Sequence, residues 1–337
     1  MKKADTFKLS VMLAMVIAVF FASFLIGRYP VSPDIVFTIL VSKILHLPQT
    51  WPETMEKVVM NVRLPRIIAA MLVGSALAAS GAAYQNLFRN PLVDPKLLGV
   101  SFGAGFGAAL GIILHLSWLW VQVGAFGGGL LAVTCSMLIS TYFGKSITVL
   151  VVGGMVVSYF FQALIYALQY VADPNDTLPT IVFWLMGGFN KVSMGDFKWA
   201  FPLIALPTAI LYAIRWHINI LGIGEEEAHT LGVNVKWVRG IVIVCATLMT
   251  AAAVSISGII GWVGLVIPHI ARMVMGTNFS RILPASLLMG GVYLLIIDNL
   301  SRSIISIEIP VGILTAVIGA PFFVFLLART RANKRRL

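Results

Sequence analysis

The sequence predicts an all-α, polytopic membrane protein of about ten transmembrane helices, with both termini in the cytoplasm. Composition is the first reason: 59% of the 337 residues are hydrophobic, only 11% are charged, and the mean hydropathy is +0.95. A water-soluble surface needs more charge than this. The second reason is spacing, because the apolar residues fall into runs of the roughly 20 residues that cross a bilayer core.

The apolar runs predict ten spans in a single transmembrane domain that covers residues 1–337. They lie at 9–27, 64–83, 97–114, 118–142, 147–170, 197–215, 238–257, 259–275, 282–300 and 309–328. The first run is long enough to be a span rather than a cleaved leader. The run at 259–275 contains several glycines and Pro268, so it is either one helix or a broken one.

Charge distribution supports this topology. With the N-terminus inside, most of the 24 basic residues face the cytoplasm, as the positive-inside rule requires. The net charge of +11 therefore reports orientation and does not indicate nucleic-acid binding. The longest cytoplasmic loop is expected at about 216–237, and the long periplasmic loops at about 29–62 and 171–196. Residues 178–188 are too short to cross and are placed on the outer face.

Small residues recur at helical spacing in several runs, which predicts helices that approach each other closely. The residues concerned are Gly74 and Ala78, then Gly103, Gly107 and Gly111, then Gly124 and Gly128. This pattern describes packing and carries no information about a substrate.

The sequence offers no candidate for catalysis, for a cofactor or for a metal. The GKS at 144–146 has Ile139 where a phosphate-binding loop needs its first glycine. Cys135 and Cys245 lie inside apolar runs and are interpreted as packing residues. His269 has no carboxylate or cysteine partner at ligand spacing. We therefore expect a protein that is not an enzyme and that holds no cofactor or metal.

An ion-coupled carrier usually has ionisable residues near the middle of its spans. Asp298 comes nearest to this pattern, but it lies towards the outer end of its run. Arg302 follows at i+4, which favours a structural ion pair. The chain is interpreted as a passive pathway that another protein drives, with a stand-alone ion-coupled secondary carrier as the alternative.

Four stretches resemble one known family. They are VRLPRIIAAMLVGSALAASGAAYQNLFRNPLVDPKLLGVSFGAGFG at 62–107, LGIGEEEAHTLGV at 221–233, GIIGWVGLVIPHIARMVMG at 258–276, and the stretch from Asp298 to the end of EIPVGILTAVIGAPFFVFLL at 298–327. Together they resemble the cobalamin and iron-chelate permeases of ABC importers, often called FecCD-type, from about residue 60 to the C-terminus.

The resemblance implies a multi-pass permease of the bacterial inner membrane that works in an assembly. Its partners would be a second copy of itself, two cytoplasmic ATP-binding subunits that hydrolyse ATP, and a periplasmic or tethered substrate-binding protein. The cargo would be a metal chelate, such as an iron–siderophore, haem or cobalamin. An oxyanion such as molybdate or tungstate is the alternative. Neither a nucleic acid nor a cofactor is implied.

The resemblance also implies roles for individual residues. Arg63 and Arg66 flank Pro65 at the expected outer start of the second span, where proline suits the first turn of a helix. With Arg302 they would meet acidic residues of the binding protein, although interface anchoring explains them too. Asn90 and Leu92, in the turn RNPLVDP, would lie near the inner gate, or serve only as a turn.

The stretch LGIGEEEAHTLG would be the element that couples the permease to its ATPase. Its three glutamates suit the first turn of a short helix and Gly232 suits its stop; a solvated loop is the alternative. The coupling residues expected from the resemblance are Leu221, Gly222, Glu225, Glu226, Glu227, Ala228, Leu231 and Gly232.

One expectation comes from spacing alone. Tyr159, Gln162, Tyr166 and Gln169 recur at intervals of three and four residues and form one polar stripe on the fifth span. Uncharged hydrogen-bonding groups on one face suit a wet pathway that must release its cargo. Packing against neighbouring helices is the alternative interpretation.

Overall fold

The structure is a computed structural model that describes residues 3–45, 48–144, 146–305 and 307–334. Within these residues every regular element is helical. The helices are α1 (Lys3–Ser23), α2 (Pro33–Leu45), α3 (Glu53–Leu87), α4 (Val100–Ile113), α5 (Trp118–Phe143), α6 (Ile147–Val171), α7 (Thr177–Met186), α8 (Phe197–Ala213), α9 (Arg215–Leu221), α10 (Glu225–Thr230), α11 (Val235–Ser257), α12 (Val263–Met275), α13 (Phe279–Ser301) and α14 (Val311–Lys334). The short 3₁₀ turns Pro95–Leu98 and Met194–Asp196 precede α4 and α8.

Several of these helices are long and apolar enough to cross a membrane. Among the described residues, six qualify singly, namely α1, α3, α5, α6, α11 and α13. A seventh candidate is the pair Met194–Ala213 and Arg215–Leu221, which is bent by 66°. The apolar helices α4, α7, α12 and the Val311–Phe325 part of α14 are shorter. Each of the ten predicted runs contains a helix, and the count of ten spans stays a prediction, as does the side on which the termini lie.

Two helices form the centre of the bundle. In both α3 and α11, 78% of the most apolar stretch is buried inside the protein, against 11% in α1. Helix α3 packs against α13, α11 and α12, whereas α5 and α6 leave most of their surface uncovered. The outer helices therefore expose the faces that remain for lipid or for partner proteins.

Glycines permit the closest helix contacts. A Cβ atom on Gly107 of α4 would lie 2.0 Å from the carbonyl oxygen of Gly124 in α5. A Cβ atom on Gly74 of α3 would lie 2.2 Å from the carbonyl oxygen of Gly290 in α13. Only residues without a side chain let these backbones touch, so the predicted close packing is confirmed at both contacts.

The start of α3 corrects the sequence prediction. The helix begins at Glu53, well before the predicted 64, and its turns over Val58–Arg63 are π-helical. Pro65 is therefore not at the start of the helix. Because proline donates no backbone hydrogen bond, the wider π-helical turn before it accommodates the break in the ladder. The predicted outer loop at 29–62 is also largely helical, since it contains α2 and the beginning of α3.

Two short elements agree with the sequence. Helix α7, Thr177–Met186, occupies the run that was too short to cross. In the run at 259–275, only Val263–Met275 is helical, and Trp262 before it has a φ of +70°. Of the two alternatives for this run, one helix is therefore correct, although it starts later than the run does and contains Pro268 without interruption.

Candidate transport pathway and partner-contact sites

A buried ion cluster joins α3 and α13 at the ends that the sequence predicts to face outwards. These are called the outer ends, and the opposite ones the inner ends. Arg66 Nε donates to both carboxylate oxygens of Asp298, at 2.9 and 3.0 Å, and Arg66 Nη1 donates to Glu308 at 2.9 Å. Arg302 Nε lies 3.7 Å from Asp298 Oδ2, so the predicted i,i+4 pair is confirmed as one part of this cluster. Asp298 is fully buried, and its charge is tolerable there because two guanidinium groups surround it.

Arg63 and Arg302 hold the chain that connects α1 and α2. Arg63 donates to the carbonyl oxygens of Phe24 and Tyr29. Arg302 Nη2 donates to the carbonyl oxygen of Ser23 at 2.9 Å. These bonds satisfy backbone acceptors at the end of α1 and fix the path of the loop that follows.

The three arginines are not at the water boundary where the sequence placed them. Arg63, Arg66 and Arg302 are only 3%, 7% and 7% exposed in the isolated chain. Their acceptors come from segments near residues 24, 298 and 308, which no local spacing connects with α3. The cluster first of all stabilises the outer end of the bundle, and direct contact with a partner requires that some of these bonds be exchanged.

On the opposite face lies the short helix α10, which begins at Glu225 as predicted. Ala228 is completely buried and Leu221 is 2% exposed, so these two residues anchor the segment to the bundle. Glu225 forms an ion pair with Arg239 of α11. The chain leaves α10 through Gly232, whose φ of +74° confirms the predicted stop. The exposed surface of this segment is formed by Glu226, Glu227, Leu231 and Gly232.

The segment before α10 is attached to both of the helices that carry the ion cluster. A Cβ atom on Gly222 would lie 2.1 Å from Asn86 Oδ1 at the inner end of α3. Asn219 Oδ1 accepts a hydrogen bond from the backbone nitrogen of Phe279, the first residue of α13, at 3.0 Å. Movement of α10 would therefore reach α3 and α13 through α9 and Gly222.

The predicted turn after α3 is also confirmed. Asn90 Oδ1 accepts from the backbone nitrogen of Leu92 at 2.9 Å, and both side chains are exposed. Gln85 ties this turn to α12, because its Nε2 donates to Gly264 O at 3.1 Å while its Oε1 accepts from Arg272. The role of Asn90 and Leu92 at an inner gate stays a prediction.

The polar stripe of α6 faces away from the core of its own chain. Tyr159 is 71% exposed and Tyr166 59%, while Gln162 and Gln169 are half-buried. Gln162 Nε2 donates to the Tyr166 hydroxyl at 2.9 Å, which leaves most of the stripe's hydrogen-bonding capacity unused. Such groups are costly against lipid tails, so this surface suits a protein partner or an aqueous pathway.

Two cavities lie along the chain between the outer and inner ends of the bundle. The larger has a volume of about 660 Å³ and is lined at its base by Gly187, Gly258 and Pro310. The smaller, about 370 Å³, is lined by Met186 and Ile259 among others. Met186 and Gly187 are consecutive, as are Gly258 and Ile259, so the same two segments line both cavities.

Backbone contacts join the segments that line the two cavities. The backbone nitrogen of Val311 donates to Gly187 O at 3.0 Å, and that of Gly188 donates to Ser257 O at 2.8 Å. A Cβ atom on Gly312 would lie 2.3 Å from Met186 O. The end of α7, the segment before α12 and the start of α14 therefore pack closely against one another, and this contact is named the seal.

The fold and these sites can be compared with known proteins. The model of the FecCD transport family matches residues 15–329, nearly the whole chain. The chain belongs to the FecCD transport family. This agrees with the resemblance that the four sequence stretches indicated.

Relatives within the family differ in the cargo that their names state. The molybdate import system permease protein MolB of Haemophilus influenzae is 41% identical over 88% of this chain and 88% of its own length. A probable iron chelatin transport system permease protein of Helicobacter pylori is 42% identical over 81% of this chain and 83% of its own. The cobalamin import system permease protein BtuC of Halobacterium salinarum is 41% identical over 82% of this chain and 74% of its own length.

A solved structure has the same fold. It shows an inward-facing conformation of a protein assigned to the metal-chelate type of ABC transporter, with a TM-score of 0.85 and 38% identity. The match covers 95% of this chain and 98% of that one. This FecCD-family protein is thus a membrane-spanning permease component of an ABC importer.

Several residues of the permease's sites escaped sequence reasoning. Glu308 was recognised only as part of a motif, yet it neutralises Arg66 from 242 positions away. Asn219, Gln85 and Arg272 connect the inner ends of helices that are remote in sequence. A polar residue in an apolar run was the available signal for Gln85, but nothing in the sequence indicates which partner it takes.

Proposed function

We propose that two copies of this permease form the membrane pathway of a metal-chelate importer in the bacterial inner membrane. Two cytoplasmic ATP-binding subunits drive the transport and an external binding protein delivers the cargo. This chain binds no nucleotide and carries out no covalent chemistry. The observation that carries the proposal is the pair α3–α13, whose outer ends share the ion cluster and whose inner ends both contact the segment that leads into α10.

The inner contact is the coupling element at 221–232. Its buried residues, Leu221 and Ala228, hold it to the bundle, while Glu226, Glu227 and Leu231 project from it. An exposed leucine beside two carboxylates suits a groove on a protein partner. ATP-driven movement of that groove would push on α10 and hence on α3 and α13.

The outer contact is the surface above the ion cluster. Carboxylates of the binding protein would approach Arg63, Arg66 and Arg302, and one of them would replace Glu308 as the partner of Arg66. Glu308 is the accessible member of the cluster, with a side chain that is 30% exposed. Exchange of one carboxylate for another leaves no buried charge without a partner.

The pathway runs between the two copies of the chain. The stripe formed by Tyr159, Gln162, Tyr166 and Gln169 would line it, because its exposed hydroxyl and amide groups offer weak, reversible contacts. The seal at Gly187 and Gly312 and the turn at Asn90 and Leu92 are candidate barriers on the outer and inner sides.

The cargo proposed first is a metal chelate, either an iron–siderophore, haem or cobalamin. The alternative is an oxyanion such as molybdate, which is favoured by the relative from Haemophilus influenzae and its coverage of 88% of this chain. A thermal-shift screen on the cognate binding protein would identify the ligand to be used in uptake assays.

The function is tested in proteoliposomes that contain the permease with or without its ATP-binding subunits. We expect uptake of the identified ligand only when ATP, the ATP-binding subunits and the binding protein are all present. Uptake that an ion gradient drives without the ATP-binding subunits would overturn the proposal in favour of a secondary carrier.

The coupling element is tested by charge reversal. Glu226→Lys and Glu227→Lys together should reduce ATP-dependent uptake by about tenfold or more, because like charges would then face the ATPase groove. Glu53→Lys is the matched control, since Glu53 is also exposed but lies at the other end of the bundle. Equal uptake by the double variant and the control would exclude this surface as the coupling site.

A further inference from the structure

The larger cavity has a chemistry that the transport function does not by itself explain. It opens between the start of α5, helix α7 and the chain that precedes α14, with a volume of about 660 Å³. Tryptophan side chains form part of its wall, and two basic residues, Arg28 and Lys191, stand on its rim. Both basic residues are exposed.

The positive charges of this cavity are not neutralised. In the part of the chain that the structure describes, no carboxylate forms an ion pair with Arg28 or Lys191. Lys191 Nζ instead lies 4.4 Å from the centre of the Trp118 ring, a cation–π contact that positions the ammonium group without cancelling its charge. The one carboxylate of the wall, Glu308, is already bound to Arg66 at 2.9 Å.

Two indole nitrogens in the cavity wall have no hydrogen-bond partner among the described residues, but both are buried beneath its surface. Trp184 is only 7% exposed, and its indole nitrogen has no hydrogen-bond partner among the described residues. The indole nitrogen of Trp118 has none either. An indole N–H can only donate, so neither nitrogen adds an acceptor to the cavity. Among the described residues that line this cavity, the charges without an ion-pair partner are therefore both positive.

The position of the cavity suits a holding site. The seal joins Gly187, which lines this cavity, to the start of α14, which lines the smaller cavity. Arg63 fixes the loop that carries Arg28, because it bonds the carbonyl oxygens of Phe24 and Tyr29 on either side. Arg63 would thus preorganise the charged rim.

We propose that this cavity is an anion-binding site that receives the cargo before it passes the seal, and that the cargo is accordingly an anion. The shared chemistry is a group of negatively charged oxygens, which either an oxyanion or an anionic metal chelate supplies. The inference rests on the proposed function and adds the charge of the substrate to it. An uncharged chelate would find no counterpart for Arg28 and Lys191.

The test is equilibrium dialysis of the full-length permease in nanodiscs, with bound metal measured by elemental mass spectrometry. The probes are molybdate, a trianionic ferric tris-catecholate and the uncharged hydroxamate chelate ferrichrome. We expect saturable retention of at least one of the two anions, weakened by salt, and no retention of ferrichrome. The two anionic probes distinguish an oxyanion carrier from a carrier of anionic chelates.

Two variants locate the binding to the cavity. Arg28→Gln and Lys191→Gln should each raise the dissociation constant of the retained anion by about three- to tenfold, because each removes one partly solvated charge contact. Lys198→Gln is the matched control, since Lys198 is exposed on the same side of the bundle but does not line the cavity. All three positions are exposed, so the variants should retain the fold.

Three outcomes would overturn the inference. They are retention of ferrichrome as strong as that of the anions, failure of the wild-type permease to retain either anion, and an equal loss of affinity in Lys198→Gln. None of them bears on ATP-dependent uptake, which the proteoliposome assay measures separately. An importer of uncharged cargo would fail this test and still pass that one.

Discussion

At the scale of single residues, Asp298 shows how this membrane protein holds charge in its interior. The carboxylate is fully buried and bonds Arg66 at 2.9 and 3.0 Å. Burial of an ion is costly, and the cost is offset here only because Arg66 and Arg302 approach from two helices. Removal of the central charge would leave two buried arginines with a single carboxylate, Glu308.

Asp298→Asn should therefore destabilise the permease strongly. Loss of one partner of a buried ion pair costs about 3–5 kcal/mol. We expect a clearly lower midpoint of thermal inactivation in detergent, with premature release of the outer ends of α3 and α13. Glu53→Gln is the control, because it breaks an exposed i,i+4 pair with Lys57 and should change stability by about 0.5 kcal/mol or less. Equal midpoints for the two variants would contradict the structural role of the cluster.

At the scale of elements, glycine decides which helices come together. The α4–α5 contact places Gly107 against the carbonyl oxygen of Gly124, while Gly127 of α5 has open space around its missing side chain. Glycine is thus required at the first of these positions and is not required at the second. At Gly107 the absence of a side chain lets the two helices touch, and at Gly127 it does not affect their packing.

Gly107→Ala should separate α4 from α5. Since the added methyl group would lie 2.0 Å from Gly124 O, the helices must move apart, at a cost of about 1–3 kcal/mol. Gly127→Ala adds the same methyl group where nothing lies within 4 Å and should be neutral or slightly stabilising. Thermal inactivation of the two variants measures the difference. A Gly107→Ala protein as stable as Gly127→Ala would refute the close contact.

Helix α6 makes a second prediction at this scale. Replacement of Gln162 and Gln169 by leucine should lower the rate of uptake several-fold without loss of stability, because both side chains are only half-buried and their amides offer the contacts of a wet pathway. Phe160→Leu is the control, since Phe160 is 60% exposed on the same helix but lies off the stripe. Unchanged uptake in the double variant would count against a pathway role.

At the scale of the whole molecule, the pair α3–α13 connects the two ends. Ser75 Oγ donates to Leu287 O at 2.8 Å near the Gly74–Gly290 contact, so the helices are bonded along their length. At the inner end, Asn219 bonds the first residue of α13. A push on the coupling element would therefore move the pair as a unit and reach the ion cluster at its outer end.

Asn219→Ala should weaken this transmission. It removes the bond to Phe279, so we expect less cargo transported per ATP hydrolysed by the assembled importer, with ATPase activity retained. Asn278→Ala is the control, because it removes the cap that α13 has within its own chain segment and leaves the Asn219 link intact. A similar loss of coupling in both variants would mean that a stable start of α13, rather than its link to Asn219, is what matters.

The extent of sequence prediction follows from the range of the interactions involved. Apolar runs, the turn at Asn90, the helix that starts at Glu225 and the pair of Asp298 with Arg302 all depend on residues within a few positions, and all of these agree with the structure. The start of α3 was predicted too late because proline is common in the first turn of a helix, and Pro65 was interpreted as marking that turn. The length of an apolar run does not show whether the run forms a short helix, such as α2, or a loop.

The amino-acid sequence by itself determined that this protein is a helical membrane protein with closely packed helices and a short helix at Glu225, because hydropathy, glycine spacing and capping act locally. Its four motif stretches indicated the permease family. Only the tertiary structure decided that the arginines are buried, that Glu308 neutralises Arg66, and that Arg28, Lys191 and two tryptophans share one cavity. Those relations join segments that are hundreds of residues apart. Their partners are set by which helix ends meet when the bundle packs, and no local pattern contains that information.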